Sequence, residues 1–385
     1  MKIIVIADDI TGAAEIAGIA NSAGLKTKLV MAGNDITGGL LCDKHLNDVV
    51  IFATDTRQMP EQDAVNEIEK LTSLCVGGRK CGKDFILFKK TDSALRGHIM
   101  EECNAIIRNS FYNKVLLLPQ NPSKGRIVRG GKDYINNVPL NETLFANDPE
   151  FPTKTADVRG YGITDAENEG DIIKLVEAAD KKTLFAGGAD LFKVVIGNVL
   201  KNVETLPTVA KSDSIDLADL PKFLMVCGST QSTNVVEKPL CRQYDVVECN
   251  MPEDVFLGKA GSEAWLSELL SKYPQRNLAL TINYPSQGGR DFAIRLRKTM
   301  AEVVKGLLQD NTVTQAGKVS PRIFIIIEGG ATAFEILSTL GWNTFNVEKE
   351  HFPGVVELSN HDARIILKPG SYPWKGLLDN EMDFI

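Results

Sequence analysis

Histidine is scarce in this chain, with four in 385 residues, and the seven cysteines never form a CxxC pair or a Cys/His cluster. Tetrahedral zinc sites need such spacings, so a dedicated zinc site is not expected. Cys42, Cys75, Cys81, Cys103, Cys227, Cys241 and Cys249 read instead as reduced thiols of a cytosolic protein. A basic surplus is also missing: the net charge is -7, which argues against nonspecific binding to nucleic acid. No apolar run approaches the ~20 residues that span a bilayer. The apolar start of the chain is cut short by Asp8 and Asp9, too early for a signal-peptide core. Repeats, heptads and low-complexity tracts are absent as well. These absences leave a soluble, cytoplasmic protein whose partner is a small molecule, with neither nucleic acid nor membrane and with self-association left open.

What is present is an alternation of strands and helices. At 385 residues, 43% of them hydrophobic and 24% charged, the chain has room for two domains with separate cores. Continuous β-branched runs mark strands with both faces covered: residues 3–7, 27–31, 49–54, 85–88, 115–118 and 183–186 in the first half. Residues 223–226, 278–282 and 323–327 are their counterparts in the second half, which closes with the stretch 364–371. Helical patterns at 13–23, 64–74, 98–109, 171–179, 191–200, 291–308 and 331–340 fall between them. The fold class expected is α/β: two doubly wound domains with mostly parallel sheets and an interdomain cleft. Residues 119–157 break the rhythm as a loop-rich stretch with the turn-prone Asn136-Asn137. The polar segment 201–221 reads as a linker and divides the chain into domains 1–210 and 211–385.

Ligands of open α/β sheets lie outside the carboxyl ends of the strands, so the residues that follow each strand matter most. After the first strand come Asp8, Asp9, Thr11 and Gly12. Adjacent carboxylates there can accept hydrogen bonds from sugar hydroxyls, bind a metal, share one proton, or serve as a helix-start acid. Gly12 permits close backbone approach. The third strand ends in Asp55-Thr56-Arg57, and the fourth in Lys89, Lys90, Asp92, Ser93 and Arg96. Arginine suits bidentate capture of a carboxylate or phosphate, so these groups together describe a pocket for a hydroxylated acid. In the second half, Gly228-Ser229-Thr230 and Gly329-Gly330 each follow an apolar strand and precede a helix. Such turns present backbone N–H groups to a phosphate, although neither is a Walker A or GxGxxG sequence.

In this order the motifs resemble those of the four-carbon acid sugar kinases along nearly the whole chain. Residues 7–13 (ADDITGA) are similar to the opening signature of that family, and residues 90–97 (KTDSALRG) to its K-x-D-S-T-L-R-G motif. Residues 119–125 with 137–148 (NVPLNETLFAND) resemble its long loop. Gly228 to Gln231, Gly329 to Ala333 and Leu367 to Gly370 resemble its nucleotide-domain motifs. The resemblance implies a kinase with ATP and Mg2+ that phosphorylates the terminal hydroxyl of threonate, erythronate or a 3-oxo-tetronate. Domain 1–210 would bind the acid sugar and domain 211–385 the nucleotide. Asp9, or failing that Asp92, would orient or deprotonate the attacking hydroxyl, and Arg96 would hold the substrate carboxylate. Asp8, Thr11, Gly12, Asp55, Arg57, Lys90 and Ser93 would complete the acid-sugar pocket. Ser229, Gly329, Gly330, Ala331, Thr332, Lys368 and Gly370 would hold the nucleotide, with the metal ligands unassigned. Three departures stand out: Ala331 where the family has an acid, Ala94 where it has Thr, and residues 368–374 (KPGSYPW) in place of K-S-G-N-F-G. The rival readings are a nucleotide-cofactor dehydrogenase, for which no dinucleotide fingerprint speaks, and a non-catalytic sugar-acid sensor.

Overall fold

The apolar runs form strands because the continuous Ile/Val/Leu sequences can be covered on both faces, each such side chain gaining roughly 1.5–3 kcal/mol from burial. A computed structural model describes residues 2–33, 47–78, 85–148, 151–201, 223–228, 241–242, 245–274, 277–285, 289–309 and 323–370. The chain divides into two compact units, Met1–Val209 and Ala210–Ile385.

The first unit carries strands β1 (Lys2–Ala7), β2 (Thr27–Met31), β3 (Val49–Ala53), β4 (Phe85–Lys90), β5 (Lys114–Leu118) and β9 (Thr183–Gly187) in the order β2-β3-β1-β4-β9-β5. Every pairing among them is parallel. Helices α1 (Ile10–Ser22), α2 (Glu61–Gly78), α3 (Ile99–Arg108), α4 (Glu169–Glu177) and α5 (Ala189–Leu200) make the connections. The small residues of α1, Gly12, Ala13, Ala14, Ala17, Gly18 and Ala20, are all buried. With β1 at the centre, the carboxyl ends of β3, β1 and β4 lie side by side, which gathers the three polar strand ends at one edge.

The stretch expected to be loop-rich holds a three-stranded antiparallel sheet: β6 (Arg126–Arg129), β7 (Lys132–Ile135) and β8 (Val138–Pro139). Its turns are two-residue hairpins. Gly130 and Gly131 have φ of 59° and 71°, Asn136 and Asn137 of 51° and 64°, as a type I′ turn requires. The short strands lack a long alternation, and the Gly-Gly and Asn-Asn pairs were the signal for them.

The second unit orders β11 (Val247–Asn250), β12 (Leu278–Thr281), β10 (Phe223–Cys227), β13 (Ile323–Glu328), β16 (Ala363–Lys368), β15 (Val355–Ser359) and β14 (Thr344–Phe352). The first five run parallel, while β14, β15 and β16 form an antiparallel meander. Helices α6 (Glu253–Phe256), α7 (Ser262–Lys272), α8 (Arg290–Gln309) and α9 (Gly330–Thr339) flank this sheet, with α8 packed against α9. Both sheets fit the mostly parallel α/β class; the meander at 344–359, together with β11, α6 and α7, is what the apolar runs did not announce. Residues 202–222, which contain nearly all of the expected linker, lie outside the described residues. Among the described residues no helix is long and apolar enough to cross a membrane.

Candidate functional site

The carboxyl edge of the first sheet is organised by Arg57, the residue that β3 delivers. Its Nε donates to Asp8 Oδ2 at 3.0 Å, its Nη1 lies 3.2 Å from Asp9 Oδ2, and its Nη2 lies 3.6 Å from Asp92 Oδ1. One guanidinium thus joins three carboxylates from two other strands. Burial alone would lower its pKa, but Asp8, Asp9 and Asp92 outweigh this and hold it well above the usual arginine value.

Asp9 is the N-cap of α1. Its Oδ1 accepts from the Gly12 N–H at 2.8 Å and its Oδ2 from the Thr11 hydroxyl at 2.6 Å. Gly12 is needed here because a Cβ would stand 2.6 Å from Asp9 Oδ1 and 3.3 Å from Lys90 Nζ. The close approach it permits is therefore that of the capping carboxylate and a lysine. Burial raises the Asp9 pKa, but Arg57, Lys90 and the two hydrogen bonds hold it below the ordinary value. Asp8 behaves oppposite in sign: burial wins over Arg57 and Lys89 and leaves its carboxyl raised. Its Oδ1 is buried with no hydrogen-bond partner among the described residues.

The fourth strand supplies alternate faces. Lys89 turns toward Glu102 of α3 at 2.5 Å, both 1% exposed. Lys90, on the other face, donates to the Thr91 carbonyl at 2.9 Å and lies 3.6 Å from Glu15 Oε2, which also pairs with Lys124. Asp92 shapes the loop that follows, its Oδ2 accepting from the Ala94 and Arg96 N–H groups. The Arg96 side chain grips the same carboxylate with Nε at 2.8 Å and Nη2 at 2.9 Å. Burial opposes ionisation of Asp92, yet Arg96 and Arg57 keep its pKa well below the usual range.

The hairpin segment closes over this loop. Arg126 donates to the Ser93 hydroxyl, and Asp148 Oδ2 lies 2.9 Å from Arg96 Nη1. The Phe145 ring lies under both guanidiniums, 5.2 Å from Arg96 Cζ and 5.3 Å from Arg126 Cζ. The residues 120–123 have a different duty: Asn121 Oδ1 accepts from the Asp190 N–H, and Asp190 accepts from the Ser123 N–H and hydroxyl, which seals the start of α5. Among the residues expected in the pocket, Asp8, Asp9, Thr11, Gly12, Arg57, Lys90, Asp92, Ser93 and Arg96 share this edge. Asp55 is at the turn after β3 with φ 54°, next to Arg57. Arg126, Phe145, Asp148, Glu15 and Lys124 were not given roles from sequence, although the long-loop motif contained or bordered four of them. Asp133 of β7 was missed altogether: it is 3% exposed, and burial with Asp92 nearby pushes its carboxyl up to about 7 against the pull of Arg126.

In the second unit the ends of β10, β13 and β16 meet. The Gly228 N–H donates to the Glu328 carbonyl at 3.1 Å and the Gly329 N–H to the Lys368 carbonyl at 2.9 Å. A Cβ at Gly228 would stand 2.1 Å from Thr332 Oγ1, so that strand end must be glycine for Thr332 to sit beside it. Gly329 is the N-cap of α9 with φ 96°, and among the described residues no side chain caps the helix. The N–H groups of Gly330, Ala331 and Thr332 therefore form a helix end of the kind that suits an anion. Lys368, fully buried, reaches Glu328 Oε1 at 2.7 Å and the Pro369 carbonyl at 3.1 Å. Gly370 follows at the same edge. Ser229, expected with this group, lies outside the described residues, as do residues 371–374.

Residues 3–161 match the family described as Sugar-binding N-terminal domain. A D-threonate kinase of Salmonella typhimurium is 31% identical over 153 residues, a match covering 40% of this chain and 34% of that kinase. A 3-oxo-tetronate kinase of Pseudomonas savastanoi pv. phaseolicola is 22% identical over 95% of this chain and 93% of its own. A Haemophilus influenzae protein from a family of unknown function has the same fold, with a TM-score of 0.63 at 17% identity over 97% of this chain and 98% of that one. The chain is thus similar to tetronate kinases, as its motifs indicated, and residues 3–161 of its first unit are similar to the sugar-binding N-terminal domain.

Proposed function

We propose that this protein is an ATP-dependent kinase that transfers the γ-phosphoryl group to the terminal hydroxyl of a four-carbon sugar acid, threonate, erythronate or a 3-oxo-tetronate. The observation that carries the reading is the pairing of two kinds of strand end. One edge collects carboxylates and cations suited to hydroxyls and an acid group; the other ends in an uncapped, glycine-opened helix. Phosphoryl transfer asks the protein mainly for in-line positioning and charge stabilisation, and each edge supplies one half of that.

In the first unit Asp9 orients the attacking hydroxyl. Its depressed pKa suits an acceptor that remains ionised. Arg96 meets the substrate carboxylate by exchanging its contact with Asp148, while Asp92 keeps the guanidinium in place. Lys90, Ser93 and Arg57 line the same pocket with Asp8, Thr11, Gly12 and Asp55. In the second unit the N–H groups of Gly330, Ala331 and Thr332 receive the nucleotide phosphates, with Gly329, Ser229, Lys368 and Gly370 around them. A magnesium ion in kinases is held chiefly by the nucleotide and one or two carboxylates. The described residues contain no group of three or more side chains that could hold a metal, and Glu328 is engaged by Lys368. They do not fit a protein-built magnesium cage, so the ion would arrive with the nucleotide.

The test is ATP consumption against a panel of D- and L-threonate, erythronate and their 3-oxo forms. Turnover with at least one acid is expected. A sugar-acid sensor is the second reading, favoured by Ala331, which brings no carboxylate to the first turn of α9. Tight binding of an acid with no turnover across the panel would select it.

A further inference from the structure

The acid-sugar pocket as read so far gives the substrate carboxylate one guanidinium, that of Arg96, and it is already committed. Its Nε and Nη2 hold Asp92 at 2.8 and 2.9 Å, and its Nη1 lies 2.9 Å from Asp148 Oδ2. A carboxylate is gripped best by two parallel N–H donors. Arg96 can release Asp148, but its fork on Asp92 belongs to the carboxylate that orders its own loop. It therefore offers one nitrogen where an acid group takes two.

Arg126 stands beside it with the opposite balance. Its main chain is fixed at the start of β6, where the N–H donates to the Asn121 carbonyl at 3.0 Å and the carbonyl accepts from the Asn121 N–H at 2.9 Å. Its Nη1 donates to the Ser93 hydroxyl, so the half-buried side chain reaches the loop of residues 92–96. The Phe145 ring lies 5.3 Å from Arg126 Cζ and 5.2 Å from Arg96 Cζ, so the two cations share one aromatic contact. Arg96 is balanced by Asp92 and Asp148. Arg126 makes no ion pair among the described residues, and its Nε and Nη2 donate to none of them. Asp133, its diagonal neighbour on the hairpin face, feels its charge with no salt bridge between them among the described residues. A guanidinium held on an aromatic ring beside a second cation, with donors to spare, is an arrangement that an anion completes.

We propose that Arg126 is the second guanidinium of the acid-sugar pocket, binding the substrate carboxylate through Nε and Nη2 together with the Arg96 Nη1 that Asp148 releases. Arg126 is then a specificity-determining residue that selects an acid over the corresponding neutral polyol. Arg96 and Phe145 hold the other side of the carboxylate, and Ser93 fixes the angle of the Arg126 fork. The proposal deepens the kinase reading and rests on it for the identity of the acid.

The experiment compares binding of an acid and its neutral counterpart, threonate with threitol and erythronate with erythritol, to the wild type, Arg126→Gln and Arg126→Lys. Ligand-observed NMR reaches the weak polyol affinities, and turnover with ATP is measured on the same samples. Arg126→Gln should weaken acid binding ~10–100-fold, the loss of a charge-assisted contact, and leave polyol binding within two-fold. Its preference for acid over polyol should fall by the same factor, with the KM for ATP unchanged within two-fold. Arg126→Lys, which keeps the charge and loses the fork, should retain part of the preference. Unchanged acid binding in Arg126→Gln would overturn the proposal and leave the kinase reading in place. Equal weakening of acid and polyol would also overturn it, as a structural role of the hairpin. Acid binding without turnover in the wild type would remove the kinase reading alone, because the preference ratio still tests Arg126. No binding of any of these acids by the wild type would remove both.

Discussion

Each unit sends a buried strand into a helix at the carboxyl edge of its sheet, and the two helix starts are finished in opposite ways. After β1, Asp9 caps α1 with its own carboxylate, consuming the Gly12 N–H and bringing negative charge that Arg57 and Lys90 then balance. After β13, Gly329 turns with φ 96° and contributes no side chain, leaving the first-turn N–H groups of α9 open. A helix N-terminus carries about half a positive charge. On the proposed reading, cancelling it internally suits an edge that addresses hydroxyls and acids through side chains, and leaving it open suits one that addresses phosphate through backbone. The same strand–turn–helix geometry would then serve acceptor or donor according to one residue.

The largest disturbance of this contrast should come from Arg57. Arg57→Leu strands three carboxylates, two of them deeply buried, and should cost about 3–5 kcal/mol of stability in urea denaturation. A loss below 1 kcal/mol would mean that the carboxylates do not depend on it. Asp9→Asn is gentler to the fold, because Asn caps a helix about as well as Asp. Turnover should nevertheless fall ~10²–10³-fold, about 3–4 kcal/mol in the barrier, with an unchanged melting curve. Unchanged turnover would remove Asp9 from the hydroxyl contact.

Gly330→Asp would carry the first unit's device into the second. A carboxylate in the first turn competes with phosphate and should raise the KM for ATP ~10-fold or more, while affinity for the acid stays within two-fold. An unaltered KM would place the nucleotide elsewhere. The smallest effect is a pH trend. Asp9 and Asp92 lie below the ordinary carboxylate value of 3.8, so their contribution is present above it and lost as the pH falls through their folded-state values. Asp133, raised to about 7, contributes oppositely: its share is complete below 3.8 and lost as the pH rises through 7. Wild type and Asp133→Asn should therefore differ more at pH 8 than at pH 4, the variant gaining about 1–3 kcal/mol at the higher pH. A constant difference between the two pH values would show that Asp133 is ionised throughout.

Much of the candidate site could be read from the chain because its parts are local. A continuous apolar run followed by Asp-Asp, Asp-Thr-Arg or Lys-Thr-Asp places polar groups at a strand end wherever the strand lies in the sheet. The hairpin of residues 126–139 was harder to see, since strands of two to four residues carry no period of their own and depend on Gly130-Gly131 and Asn136-Asn137 for their turns. The meander of β14 and β15 was missed for a related reason: Thr344–Phe352 is half exposed and charged, and it is a strand because β15 pairs with it.

The amino-acid sequence by itself determined the alternating elements, the division into two halves, and the capping choice at each helix start, Asp9 or Gly329. Those depend on neighbours within a few residues. Only the tertiary structure decided that Arg57 would hold Asp8 across 49 residues of chain, that Arg96 would be shared between Asp92 and Asp148, and that Asp133 would share a hairpin face with Arg126. Ion pairing and pKa depend on strand order and on exclusion of water, and both are properties of the assembled sheet.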